Sequence, residues 1–388
     1  MSSEILFDYH VPEQGDALDG AGLVGDSAVL STGRSERNSD RQKRQPLEII
    51  VDYERADHVL GTLLELYGNN EYPYNLETTQ VPHHPNNMPK TMPRNGKEHA
   101  AFLWNSCYYM RGGIKSVEAF RRLSIMYDDP ASRDLFDLHY AKDSDVGEVV
   151  TALKKHGLGF RGTVSGQWIE NARRMVDLYD GDPRNIFDGV EDYDEALLRI
   201  QNDHKGGGFK GFQHKMTSMI IYYLIDDKLI DNIDNFPIPV DLHVMRMSVA
   251  NEMIKFPGAE LDENLFQPET TLTLRDLFVD YANRHAVSPI KICNAVWLYS
   301  EALCGYQPGN ITLEPRGRDA RNGRKTELVP LEYDPLDDAQ RKAFARTCGR
   351  CALNAVCKWN VPGKPYYVSG ELIRRGERQG YPGDPTLF

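Results

Sequence analysis

From Glu98 onward the apolar residues of this chain fall on helical faces, and that pattern restricts the fold more than any other feature. Ala101, Leu103 and Trp104 form one such group, Val117, Phe120 and Leu123 a second, Val149, Val150 and Leu153 a third, and Ile169, Met175, Val176 and Leu178 a fourth. Each group places its apolar side chains on one side of a 3.6-residue turn, as a helix that buries one face requires. Strand-like alternation is scarce and turn signals separate the groups, so the expected fold class is all-α.

The flanks differ. Residues 1–45 are rich in Gly, Ser and Asp, end in the charged run SERNSDRQKRQ and carry no sustained apolar period, which predicts a flexible tail. Residues 46–95 form a first ordered segment, helical after Asp57, that runs into the Pro- and Asn-rich connection VPHHPNNMPKTMPRNG, read as a loop. Further on, Asp203 to Phe209 (DHKGGGF) reads as a flexible joint. Pro237 and Pro239 rigidify an extended stretch before a helix that starts near Asp241. Residues 361–388 form a C-terminal tail.

Composition excludes some classes. No stretch approaches the roughly 18 uninterrupted apolar residues of a membrane span. The start, MSSEILFDYH, lacks a basic region followed by an apolar one, so the expectation is an intracellular protein with no membrane partner. A net charge of −12 counts against nucleic-acid binding. Yet a few cations on one face can bind DNA beneath an acidic remainder.

Six cysteines in 388 residues are too sparse for a disulfide scaffold, and three of them, Cys348, Cys351 and Cys357, crowd into one short run. Two residues separate the first pair and five the second, so three thiolates can converge on one centre. Cys304 is the expected fourth ligand, because it ends the apolar helix AVWLYSEALC, whereas Cys293 falls earlier among packing residues and Cys107 reads as a small core residue. Spacing alone leaves iron–sulfur and zinc both open.

Two upstream motifs bear on that choice. Gly211-Phe212-Gln213-His214-Lys215-Met216-Thr217 opens a helix, and 26 positions after Lys215 comes Pro239-Val240-Asp241-Leu242-His243-Val244-Met245-Arg246. The first resembles the hairpin, and the second the Val-Asp-Thr-His-Val-x-Arg run, of endonuclease III-like DNA glycosylases of the helix-hairpin-helix superfamily. The Cys-x2-Cys-x5-Cys spacing resembles the last three ligands of that family's iron–sulfur cluster. Gly157-Leu158-Gly159-Phe160 and Ile169-Glu170-Asn171-Ala172-Arg173-Arg174 resemble two further family stretches, so the likeness covers about two thirds of the chain, from Glu98 to Lys358.

The resemblance implies a two-lobed fold: a six-helix barrel over 96–240 containing the hairpin, and a helical cluster lobe built from residues 46–95 and 241–360. It implies a monomer that takes double-stranded DNA with a damaged or modified base, flips that base out and cuts its glycosidic bond, with strand-cleaving lyase activity besides. Lys215 would be the nucleophile at C1′ and Asp241 the carboxylate that assists it. Gly211, Phe212, Gln213 and His214 would contact the DNA backbone through the hairpin. Cys304, Cys348, Cys351 and Cys357 would hold a 4Fe–4S cluster. Plainer roles stand beside these: Asp241 as a helix N-cap, Lys215 as a solvated helix lysine, His243 as a core or hydrogen-bonding histidine, and Arg246 as partner of a carboxylate.

The chain also departs from the family pattern. Gln213 replaces the second hairpin glycine, and DDKLIDNIDNFPI is longer than the equivalent connection in compact members. No glutamine occupies the helix around Trp104-Asn105-Ser106-Cys107-Tyr108-Tyr109, where the family places a residue that fills the flipped base's vacancy, which leaves Tyr108 or Tyr109 as wedge or stacking platform, or as core. Between Cys304 and Cys348 lies an insertion, 309–345, whose Arg316, Arg318, Arg321, Arg324 and Lys325 make a local basic loop. Arg321 and Arg324 are its expected phosphate contacts, with a solvated surface loop as the alternative. A catalytically inactive DNA-binding module of the same fold and a zinc-binding interaction protein are the competing functions.

Overall fold

A computed structural model describes residues 48–110, 114–160, 162–201, 208–257, 268–304, 342 and 345–357, and the backbone of 311–318 and 325–333. Both expected tails, most of the DHKGGGF joint, and Arg321 and Arg324 lie outside the described residues.

The described chain is mostly helical, as its periodicity predicts. The order is β1 (Ile50–Val51), α1 (Tyr53–Gly68), α2 (Lys97–Ser106), α3 (Ser116–Asp128), α4 (Leu138–Ala141), α5 (Val146–Lys155), α6 (Val164–Tyr179), α7 (Tyr193–Ile200), α8 (His214–Asp226), α9 (Leu242–Ala250), β2 (Ile254–Lys255), α10 (Pro268–His285), α11 (Pro289–Leu303), β3 (Ile311–Arg318) and β4 (Lys325–Tyr333). None of the described helices is long and apolar enough to cross a membrane.

Caps explain several boundaries. The Asp52 carboxylate accepts from the Arg55 N–H at 3.0 Å, so α1 begins a turn earlier than the apolar pattern after Asp57 suggests. Asp145, Asp192 and Asp241 cap α5, α7 and α9 in the same way. Each such cap contributes about 1 kcal/mol.

The helices pack as two groups sharing one continuous core. α1, α9 and α10 contact α11, and β1 pairs antiparallel with β2 through Ile50 with Lys255 and Val51 with Ile254, which ties the start of the ordered chain to the segment after α9. In the other group α2 lies against α3 and α8, α6 against α4 and α5, and α7 against α8. Helix α8 also meets α11 and joins the groups.

Residues 46–95 do not stay together. The Pro-rich connection leaves α1 and straps across the second group: buried His83 meets Asp226 at the end of α8 at 2.7 Å, and Thr91 Oγ1 donates to Asp128 at the end of α3 at 2.7 Å. Helix α1 packs on α11 and the connection after it lies on the other group, so the segment is divided between the two.

The insertion is corrected too. Its backbone forms an antiparallel hairpin, β3 with β4, pairing Ile311 with Tyr333 and Arg318 with Lys325. Arg316, Arg318 and Lys325 therefore stand in strands rather than in a loop. Asn322-Gly323 between two runs rich in Thr, Val, Leu and Ile was the available sequence signal for a hairpin.

Candidate functional site

Helices α7 and α8 are joined by a hairpin whose described part, residues 208–213, is set by two glycines and two aromatic anchors. Gly208 (φ +67°) closes on the strand-like residue Gln201; a Cβ there would run into the Gln201 carbonyl, so only glycine fits. Gly211 (φ +80°) makes the second left-handed turn. Between and after them, Phe209 and Phe212 enter the core against Trp104 of α2. Phe212 stacks on the indole with ring centroids 4.2 Å apart, and Phe209 meets it edge-on at 4.7 Å.

Helix α6 holds the hairpin from behind. The buried Asn171 amide donates to the Lys210 carbonyl at 2.9 Å and accepts from the Lys210 N–H at 2.7 Å. One turn on, Arg174 donates to the Gly208 carbonyl and to Glu170. The outward end is exposed Gln213, the N-cap of α8, whose side chain accepts from Gln201 at 3.0 Å and does not cap the helix. The positive end of a 13-residue helix is thus presented at the hairpin without a side-chain cap, the arrangement that favours anions such as phosphate.

The four hairpin residues expected at DNA divide. Gly211 is half-buried at the turn and Gln213 is exposed. Phe212 is fully buried, so its side chain belongs to the core and only its backbone faces the turn. The half-buried His214 ring takes a 2.6 Å contact from buried Arg275, itself set over the Tyr193 ring, and burial together with that guanidinium lowers the imidazole's affinity for a proton. An imidazole so partnered brings no cation to phosphate, and the backbone contact expected of His214 does not call for one.

Tyr108 and Tyr109 are corrected as well. Both are fully buried: Tyr109 donates to the Leu158 carbonyl at 3.1 Å, and the Tyr108 oxygen accepts from Asn171 at 3.1 Å. A wedge must stand at the surface, and aromatic residues at helical spacing fill cores just as readily.

Lys215 lies in the first turn of α8, half-buried, and its Nζ donates to the Met110 carbonyl at 2.8 Å, just past α2. Asp241 caps α9, its carboxylate accepting from the Val244 N–H at 3.1 Å after the rigid Pro237-Ile238-Pro239 approach. Both act electrostatically on His243. Burial pushes that imidazole down to about 4; Asp241 opposes the shift, while Arg246, Lys215 and Lys115 add to it. His243 Nδ1 lies 3.2 Å from the Ser300 hydroxyl of α11, and its ring packs edge-on against Trp297. The neutral imidazole is therefore a brace between the capped end of α9 and α11.

The cysteines form the other half of the site. Cys304 caps the end of α11, with its Sγ 3.5 Å from the Met247 Sδ of α9. Burial pushes its thiol up to about 12, with Arg246 opposing and Cys351 and Cys357 adding to the rise. Cys348 is likewise pushed up to about 12 by burial, then by Cys304 and Cys351. Cys304 is thus coupled to Cys348, Cys351 and Cys357, whereas Cys293, buried on α11, is acted on by Asp241 and Asp226 instead. Arg246 is buried on α9, with the Cys304 sulfur and the Asp241 carboxylate as the groups that act on it.

Four thiols partly shielded from water, with a cation beside them, suit an iron–sulfur cube. Among the described residues no three His, Cys, Asp or Glu side chains are grouped to hold one metal ion. A cube asks less convergence than a single ion, since each thiolate binds its own iron.

Sequence reasoning missed Trp104 as the hairpin's platform, the Met110 carbonyl and the Arg275–His214 contact. Arg275 and His214 are 61 residues apart, and no local pattern signals such a pair. No protein-family model matches the chain, and no curated protein does either.

Proposed function

We propose that this chain is a DNA glycosylase of the two-lobed helix-hairpin-helix type, which flips a damaged or modified base out of double-stranded DNA, cuts its glycosidic bond and cleaves the resulting abasic site as a lyase. The observation that carries this reading is that Lys215, in the first turn of α8 beside the hairpin, and Asp241, the N-cap of α9, both act electrostatically on the half-buried His243. The electrostatic coupling of Cys304 to Cys351 and Cys357, and of Cys348 to Cys304 and Cys351, supports it independently.

In the proposed reaction the hairpin amides and the α8 N-terminus bind phosphate and fix the strand, while the base is turned out of the stack. Lys215 must first give up a proton, and the Asp241 carboxylate is the acceptor on hand. The amine lone pair then forms the N–C1′ bond as the glycosidic bond breaks, and that bond's electron pair leaves with the base, which takes up a proton. Asp241 also stabilises the positive charge that builds on the sugar. Opening of the C1′–O4′ bond, whose electron pair and a proton go to the ring oxygen, turns this adduct into a lysine–sugar imine, which permits strand cleavage by elimination of the 3′ phosphate. Cys304 at the end of α11 and Cys348, Cys351 and Cys357 in the loop after it would hold the cluster, which would tie that loop to α11.

One observation favours an inactive DNA-binding module of the same fold: the Lys215 Nζ is engaged by the Met110 carbonyl, and a lysine that keeps this bond and its proton cannot attack. Incubating the full chain with a panel of duplexes carrying oxidised, alkylated, deaminated or methylated bases separates the readings. Release of one base class supports the enzyme. Duplex binding with no release from any member supports the module.

A further inference from the structure

We propose that Tyr299 is a positioning residue for the iron–sulfur centre, its hydroxyl donating to the Cys351 sulfur and setting the electron density on that ligand. The inference rests on the cluster assignment above and goes beyond it, since it names a group that tunes the centre without ligating it.

The geometry is specific. The Tyr299 hydroxyl donates to Cys351 Sγ at 3.4 Å and accepts from the Ala352 N–H at 2.8 Å. Because the N–H occupies a lone pair of the oxygen, the single hydroxyl proton is directed to sulfur. The ring cannot drift: Tyr299 is 1% exposed, and Tyr74 packs on it at 5.9 Å while donating its own hydroxyl to the Ala295 carbonyl one turn earlier on α11. Helix α11 therefore supplies Cys304 as a ligand and, five residues before it, the hydroxyl that grips the ligand loop beside Cys351.

A donor to a ligating sulfur withdraws electron density and stabilises the reduced, more negative centre, which raises the reduction potential. Phenylalanine at 299 would keep the ring and remove both bonds. The potential should move to a more negative value, and the cluster should be lost faster to a chelator, because Ala352 loses its acceptor.

The test uses the full chain purified without oxygen as wild type, Tyr299→Phe and Tyr74→Phe, with iron and sulfide analysis, film voltammetry, and bleaching of the visible band by EDTA. Tyr74→Phe removes a buried hydroxyl from the same stack without touching sulfur, and it should leave the potential where it was. A negative shift and faster bleaching confined to Tyr299→Phe support the proposal, as does loss of iron from Tyr299→Phe with Tyr74→Phe still loaded. Unchanged potential and bleaching in a loaded Tyr299→Phe, or equal shifts in both variants, would overturn it. Wild type free of iron would instead overturn the cluster assignment, and this inference with it.

Discussion

The Asn171 side chain forms both hydrogen bonds that the backbone of Lys210 can offer, donating to its carbonyl and accepting from its N–H. One buried amide on α6 thus fixes the peptide just ahead of Gly211 in the hairpin. Leucine at this position would fill similar space and leave both backbone groups unpaired, at a cost of about 2–4 kcal/mol. We expect Asn171→Leu to lower the urea midpoint and to weaken duplex binding further than the stability loss accounts for, measured at a temperature where the variant is folded. Unchanged duplex affinity in the folded variant would show that the clamp does not serve binding.

How much of this was legible beforehand follows from the range of each interaction. The run Ile169 to Leu178 predicts a helix, and α6 spans Val164–Tyr179; Asp241 after two prolines predicts a cap, and it caps α9. Both signals sit within a few residues. For Tyr108 and Tyr109 the sequence left wedge and core both open, because a surface wedge and a buried ring obey the same spacing, and both are core. The Asn171 clamp spans 39 residues and the Arg275–His214 contact 61, and in each the sequence shows two ordinary polar residues with nothing to pair them.

His243 should make the protein acid-sensitive. Its imidazole titrates near 4 when folded and near 6.5 in an unfolded chain, so between those values the unfolded state binds the extra proton. The contribution is complete above about pH 6.5 and is lost as pH falls through 4, amounting to no more than about 3 kcal/mol. His243→Gln, which can still reach Ser300, should flatten the dependence of the urea midpoint between pH 7 and pH 4. An equally steep acid limb in the variant would place the sensitive group elsewhere.

The cysteines offer a paired test. Cys304 shares its surroundings with Cys351 and Cys357, while Cys293 is enclosed in α11 near Asp226 and Asp241. Cys304→Ser should abolish the visible absorption band and the bound iron of anaerobically purified protein, and Cys293→Ser should retain both. The reverse pattern would reassign the fourth ligand, and one equivalent of zinc with no visible band would replace iron altogether.

The central claim is that Lys215 attacks the sugar with help from Asp241. Borohydride trapping tests it most directly, since reduction of a lysine–sugar imine leaves protein and DNA covalently joined. With a duplex whose modified base the wild type releases, we predict a trapped complex for wild type and none for Lys215→Ala. Asp241→Asn, which preserves the cap because asparagine caps about as well as aspartate, should trap far more slowly than wild type. Trapping that persists undiminished in Lys215→Ala, or proceeds at the wild-type rate in Asp241→Asn, would contradict the account.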